Sequence, residues 1–284
     1  NNYGIGLFVA KRRTRPLLIR VSSDRRLWNS HDGVGSSKAT MRTLLERWSL
    51  RKADAVYAPS RFLADFYRHT YGLPVETIRP PLTHLISKEE PSPKSSPQRK
   101  NLPARYFVYF GQIGYRKGLD VLARALKLAW ANEPDLRMVW VGGEVRKGDY
   151  AACERLMAPV DGRLLWLGRV PKPEVLALVA SAVATVVPSR VDNLPNTAIE
   201  SLLLGIPVIG SDGASVNEIV VHGKTGALFP LGDAEELSRI LVAAWRGNAP
   251  WPEPIEDDGT LYEQLDARRS VGQLVELARK LRGQ

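Results

Sequence analysis

Two carboxylates and one lysine stand where this sequence could do chemistry. Asp192 and Glu200 flank a Pro-Asn-Thr turn in the stretch SRVDNLPNTAIESLLLGIPVIGSDG, residues 189–213. Lys117 lies in a glycine-bounded loop, FGQIGYRKG, between an apolar run and an amphipathic one. RVDNLPNT reads as the loop after a strand, with Asn196 or Thr197 as the cap of the helix that follows. Backbone N–H groups at such a helix start favour an anion. Pro195 lacks an N–H, so the donors come from its neighbours. A carboxylate accepts two O–H hydrogen bonds, which suits sugar hydroxyls. The set fits a ligand with hydroxyls at each end and phosphate between them, as in a nucleotide sugar.

The elements that must position these groups follow from the apolar pattern. From residue 105 onward, RYFVYFG, LRMVWVGG, RLLWLG, VATVVPS and PVIGSDG are short runs rich in Val, Ile and aromatics. Such near-continuous apolar runs suit strands buried on both faces. Amphipathic stretches at 119–131, 174–180 and 197–205 alternate with them, which predicts βαβ units and a parallel, doubly wound sheet. Ligands of such sheets bind at the carboxyl ends of the strands. Residues 1–85 carry fewer strands: RPLLIRVSS and DAVYAPS are expected strands, TMRTLLERWSLRKA and RFLADFYRHTYG helices, and VETIRPPL closes the unit. The expected organisation is a partial N-terminal domain at 1–85, a Pro- and Ser-rich linker at 86–103, a second domain at 104–247 and a helical extension at 248–284. LYEQLDARRSVGQLVELARKLRG reads as one final amphipathic helix.

Composition narrows the function classes. The chain has 284 residues, 44% hydrophobic and 25% charged, ordinary for a globular protein. Cys153 is the single cysteine, so an internal disulfide is excluded. The expected location is cytoplasmic. No apolar run reaches the roughly 20 residues of a spanning helix. The net charge of +10 favours anionic partners. The densest basic group, residues 11–15, is the candidate for an acidic membrane surface. RNA-binding aromatic signatures and zinc-finger spacings are missing from the sequence, so no nucleic acid is expected. The Lys117 loop is not a Walker loop, because its lysine precedes the glycine. There is no Asp-x-Asp motif, and no metal is expected. Glu256-Asp257-Asp258 reads as an exposed loop.

The motifs resemble those of retaining GT-B glycosyltransferases, in particular family four, the glycosyl transferases of group 1. DNLPNTAIES followed by GIPVIGSDGASVNEIVVHGKTGALF is similar to that family's signature of two glutamates with seven residues between them. The resemblance implies that Asp192, standing where a glutamate is usual, contacts the donor sugar. It also implies that Glu200 contacts the ribose. FGQIGYRKGLDVLARAL looks like the family's phosphate loop. Gly111 and Lys117 match it, Gln112 stands where an arginine is usual, and Arg116 is the alternative cation. LWLGRVPKPEVLALVASA resembles the segment that packs on the nucleobase, around Arg169 and Val170. The fold so implied is α/β, with two Rossmann-like domains of parallel sheets, the N-terminal one incomplete and truncated upstream of Asn1.

The activity so implied is a hexosyltransferase-type transfer, retaining and metal-independent, from a nucleotide diphosphate sugar to a glycan or lipid-linked acceptor. The implied catalytic residues are Lys117, Asp192 and Glu200. The implied donor site adds Gly111, Gln112, Arg116, Arg169, Val170, Asn193, Leu194, Asn196 and Thr197. Many relatives carry a histidine after the strand matched by LLIRVSS. Ser22 stands there, and the nearest histidine is His31, so no base is assigned. Two rival readings stay open: a GT-B relative with epimerase or phosphorylase chemistry, and a nucleotide-binding fragment without turnover.

Overall fold

A computed structural model of the chain describes residues 16–23, 27, 47–81, 102–256 and 259–282. They divide into two compact units. One comprises residues 1–84 with 260–284, and the other residues 85–259. The expected boundary at 247 therefore lies instead at 259, and the last helices belong to the first unit. The basic group at 11–15, His31 and nearly all of the expected linker fall outside the described residues.

The first unit holds a three-stranded parallel sheet, β1 (Leu18–Arg20), β2 (Ala55–Ala58) and β3 (Val75–Thr77), in that spatial order. Helix α1 (Arg61–Tyr71) links β2 to β3. Its ends are written in the sequence. The Ser60 side chain accepts from the Leu63 N–H at the start, and Gly72, at φ +62°, closes the end in the left-handed conformation. Leu63, Ala64, Tyr67 and Tyr71 form its buried face.

The second unit is built on a six-stranded parallel sheet. Its strands are β4 (Phe107–Phe110), β5 (Met138–Val141), β6 (Leu164–Trp166), β7 (Thr185–Val187), β8 (Val208–Asp212) and β9 (Gly226–Pro230). Their spatial order is β6-β5-β4-β7-β8-β9. The helices are α2 (Leu119–Asn132), α3 (Asp149–Met157), α4 (Lys172–Val179), α5 (Asn196–Leu203) and α6 (Ala234–Trp245). Successive strand residues point to opposite faces. Phe107 and Tyr109 accordingly join the cluster under α2, α3 and α6, with Leu122, Leu126, Trp140, Phe229 and Leu241. Val108 and Phe110 join the opposite cluster with Val139, Val175 and Leu178. Both sheet faces are covered, which is why the strands read as unbroken apolar runs. Strand β9 and helices α3 and α6 extend the alternation beyond the expected elements.

The final amphipathic stretch is two helices, α7 (Thr260–Leu265) and α8 (Ala267–Arg282), rather than one. Asp266 causes the break. Its Oδ1 accepts from the backbone N–H groups of Arg268 and Arg269, as a capping residue does. Arg79 donates to Gln264 Oε1 at 2.5 Å, tying α7 to the end of the first sheet.

Cys153 is buried on α3. Burial, with the carboxylates of Asp120 and Asp149, pushes its thiol from 9.0 up to about 12. A thiol held neutral in the fold stabilises it fully below the unfolded value. That contribution is lost as pH rises from about 9 toward about 12. The urea midpoint should therefore fall across this window, and fall less steeply in Cys153→Ala, whatever that variant's stability at pH 7. Identical slopes for the two proteins would show that the thiol plays no part.

Candidate active site

The strand order reverses between β4 and β7, where Val108 pairs with Thr185. At that reversal the connections leave toward opposite faces, opening a crevice at the carboxyl ends of the strands. The two loops that flank it, 111–118 after β4 and 188–195 after β7, hold most of the residues singled out in the sequence.

Backbone contacts set the spacing of these loops. Gly118 adopts φ +70°, and a Cβ there would lie 1.8 Å from the Pro188 carbonyl oxygen. Gly142, at φ +138°, would place a Cβ 1.7 Å from the Gly111 carbonyl oxygen. Only glycine allows either approach. The short 3-10 turn Tyr115–Lys117 is then fastened to the exit of β7. The N–H groups of Arg190 and Val191 both donate to the Arg116 carbonyl, at 2.9 and 3.3 Å.

Arg190 completes the clamp. Its guanidinium meets Asp120, in the first turn of α2, as a fork, with Nη1 to Oδ1 at 2.5 Å and Nη2 to Oδ2 at 2.8 Å. Nη1 also donates to the Tyr115 carbonyl at 2.8 Å, and the group lies 4.0 Å from the centre of the Tyr115 ring. Burial works against the charge, but the hydrogen bonds to Asp120 and its charge prevail and raise the guanidinium's pKa. Beneath the loop, the Tyr109 hydroxyl donates to the Gln112 carbonyl at 2.5 Å. Burial, and next the charge of Asp192, raise that phenol well above its ordinary value.

The clamp brings Lys117 onto Asp192, Nζ to Oδ2 at 2.5 Å, across the crevice. The carboxylate is mostly enclosed, and the Ser189 hydroxyl stands 3.5 Å from the same oxygen. Ser215 donates to the Asp192 carbonyl at 2.9 Å, fixing the backbone of the loop. Glu200 is buried on α5 and pairs through Oε2 with Lys172 of α4.

The remaining predicted residues spread around this centre. Gln112 is exposed and Arg116 half-buried. Asn193 and Leu194 lie in the β7 loop, half-buried. Helix α5 begins at Asn196, with Pro195 in the capping position and no side-chain cap. Neither Asn196 nor Thr197 is thus the cap that the sequence suggested; they are its first two residues. A Cβ on Gly143 would lie 2.6 Å from Arg169 Nε, so this glycine lets the exposed arginine cross the exit of β5. Val170 packs its side chain on the cluster around Tyr106 and Val108.

Sequence reasoning missed Asp120, Arg190, Lys172 and Tyr109. Two of them carry a local signal. Arg190 directly follows a strand-ending Pro-Ser, and Lys172 is a cation at the first position of a helix, where the dipole opposes it.

Residues 104–246 match the model of the family described as glycosyl transferases group 1. A lipopolysaccharide core biosynthesis mannosyltransferase of Rhizobium leguminosarum bv. viciae is 27% identical over 211 residues, covering 70% of this chain and 56% of the relative. A D-inositol 3-phosphate glycosyltransferase of Thermobispora bispora is 32% identical over 165 residues, covering 54% and 38%. Among solved structures, sucrose-phosphate synthase of Thermosynechococcus elongatus superposes with a TM-score of 0.72 at 22% identity, covering 98% of this chain and 71% of that one. Anabaena HepE, solved in complex with UDP and glucose, gives 0.74 at 19%, covering 96% and 74%. These structures share the α/β fold of parallel sheets expected for GT-B enzymes. The chain spans about half the length of the curated relatives it matches. With its second unit carrying the matched domain, the chain belongs to the glycosyl transferases group 1 family.

Proposed function

We propose that this protein transfers a glycosyl group from a nucleotide diphosphate sugar to the hydroxyl of a glycan or lipid-linked acceptor. The reading further holds that configuration at the anomeric carbon is retained and that no metal takes part. The observation that carries it is the Lys117–Asp192 pair at the reversal of strand order. An ammonium and a carboxylate meet there at the start of a helix, within a fixed backbone frame. In this reading the bond from the anomeric carbon to the diphosphate oxygen breaks, the acceptor oxygen bonds to the same face, and its proton passes to the departing diphosphate oxygen. Charge then grows on the leaving diphosphate. Lys117, with Arg116 in the same turn and the Thr197 N–H in the first turn of α5, stabilises that charge; the Asn196 N–H donates to the Leu194 carbonyl at 2.9 Å and shapes the turn. Asp192, with the backbone at Asn193 and Leu194, orients the sugar. Glu200 receives the ribose hydroxyls, and the segment around Arg169 and Val170 lies against the base. Gly111 and Gln112 allow the diphosphate to approach the backbone. Support comes from the family match and from the UDP that HepE binds in this fold.

Glu200→Gln should weaken nucleoside diphosphate binding by roughly 1.5–3 kcal/mol, the range for hydrogen bonds to a charged group. Binding of a 2′,3′-dideoxy nucleoside diphosphate should hardly change. Calorimetric titration checks both, and an unchanged affinity for the ribonucleotide would remove Glu200 from the site.

Lys117→Ala should lower turnover more than it lowers donor affinity, because the diphosphate charge is largest in the transition state. Steady-state kinetics with a nucleotide-sugar donor, run with and without chelator, measure this. Activity lost to chelator and restored by manganese would refute metal-free departure. Cleavage that depends on free phosphate would instead indicate a phosphorylase.

A further inference from the structure

Lys172 takes no part in the site as the family resemblance draws it, yet it sits at the junction of three of its parts. It is the first residue of α4, directly after the 169–170 segment. Its ammonium pairs with Glu200 Oε2 on α5 and lies 5.7 Å from the centre of the Phe110 ring. Phe110 ends β4, immediately before the phosphate loop opens at Gly111. The Glu200 side chain is only 5% exposed, whereas that of Lys172 is 49% exposed. A carboxylate so enclosed requires a counter-charge. Among the described residues, the ion pair given to Glu200 is the one with Lys172. The position is also unfavourable for a lysine on local grounds, since the first turn of a helix repels cations. Propensity does not explain the residue; the carboxylate does.

We propose that Lys172 is a positioning residue for nucleotide recognition: it holds the Glu200 side chain turned so that Oε1 faces the ribose hydroxyls. This rests on the reading of Glu200 as the ribose acceptor. With Oε2 held by the ammonium, Oε1 and the second lone pair of Oε2 remain to accept two hydroxyls. The same bond links the segment beside the base to the helix that carries the ribose contact. Lys172 remains on Glu200 when nucleotide binds. If it were instead a plug displaced by the ribose, its removal would tighten binding, so the sign of the effect separates the two.

The test is calorimetric titration of the intact protein and its Lys172→Met, Lys172→Arg and Glu200→Gln variants. UDP, GDP and ADP serve as probes, each beside its 2′,3′-dideoxy counterpart. Lys172→Met should bind the ribonucleotide roughly five- to tenfold more weakly, a loss between those of an exposed and a buried ion pair. It should bind the dideoxy form as the unmodified protein does, and Lys172→Arg should restore most of the difference. Adding Lys172→Met to Glu200→Gln should cost little more than Glu200→Gln alone, since both changes act through one carboxylate. The selectivity for ribose over dideoxyribose is a ratio that general loosening of the fold would not move. Ribonucleotide binding that is unchanged or tighter in Lys172→Met overturns the role of Lys172. So does an equal loss for both probes, which would make the lysine a general anion contact. If Glu200→Gln itself leaves the ratio unchanged, the ribose assignment of the site fails, and this proposal with it.

Discussion

The site depends on a contact between two pieces of backbone. Gly118 touches the Pro188 carbonyl so closely that any side chain would push the Tyr115–Lys117 turn off the end of β7. Strand order alone would leave a crevice of no particular width. This contact, with two N–H groups of the β7 loop on the Arg116 carbonyl, sets the width. The Arg190–Asp120 fork then locks the arrangement. A two-pronged, charge-assisted bond resists rotation as well as separation. Partly enclosed pairs of this kind often add little net stability, because desolvation offsets attraction. The value of this one is geometric: it holds Lys117 across the crevice from the β7 loop, against Asp192.

Charge inside the crevice is arranged quite differently from charge over the whole chain. The sequence carries a surplus of ten positive charges, but three cations of the crevice have carboxylate partners. Lys117 has Asp192, Lys172 has Glu200 and Arg190 has Asp120. On the proposed reading, these pairs recognise a molecule that presents hydroxyls to the carboxylates and phosphate to the cations at once, so a bare polyanion gains less from them. Selectivity for a donor with both features would then follow from the pairing.

Much of the second unit was legible because β4, β5 and β7 are buried on both faces and their sequences show it. Strand β9 was harder to read. Its segment GALFP starts at a glycine that packs against Val208 and carries few branched residues. The break at Asp266 could have been read from the capping preference of aspartate, but the apolar pattern continues across it and hides it. Asp192, Glu200 and Lys117 were visible because loop chemistry surrounds them in the sequence. Lys172, Arg190 and Asp120 were not, because each acts through a partner far along the chain. Arg190 and Asp120 are 70 residues apart, a pairing that only the sheet order creates. Residue types locate a loop that can do chemistry, whereas the groups that aim it are found through three-dimensional neighbours.

The reversal of strand order also bears on how the molecule comes into being. Strand β4 pairs with β5, the next strand in the chain, but its other neighbour, β7, follows only after β6 and α4. While the chain is being synthesised, the 111–118 loop leaves the ribosome long before the strand that confines it. In that interval one edge of β4 is bare, and Asp120 has Arg124 of its own helix but not yet Arg190. Parallel pairings across such separations close slowly, since loop entropy is spent before contacts repay it. The centre of the sheet is thus sealed only after β5 and β6 have been made, and until then the nascent chain's exposed edge there is open to wrong pairings.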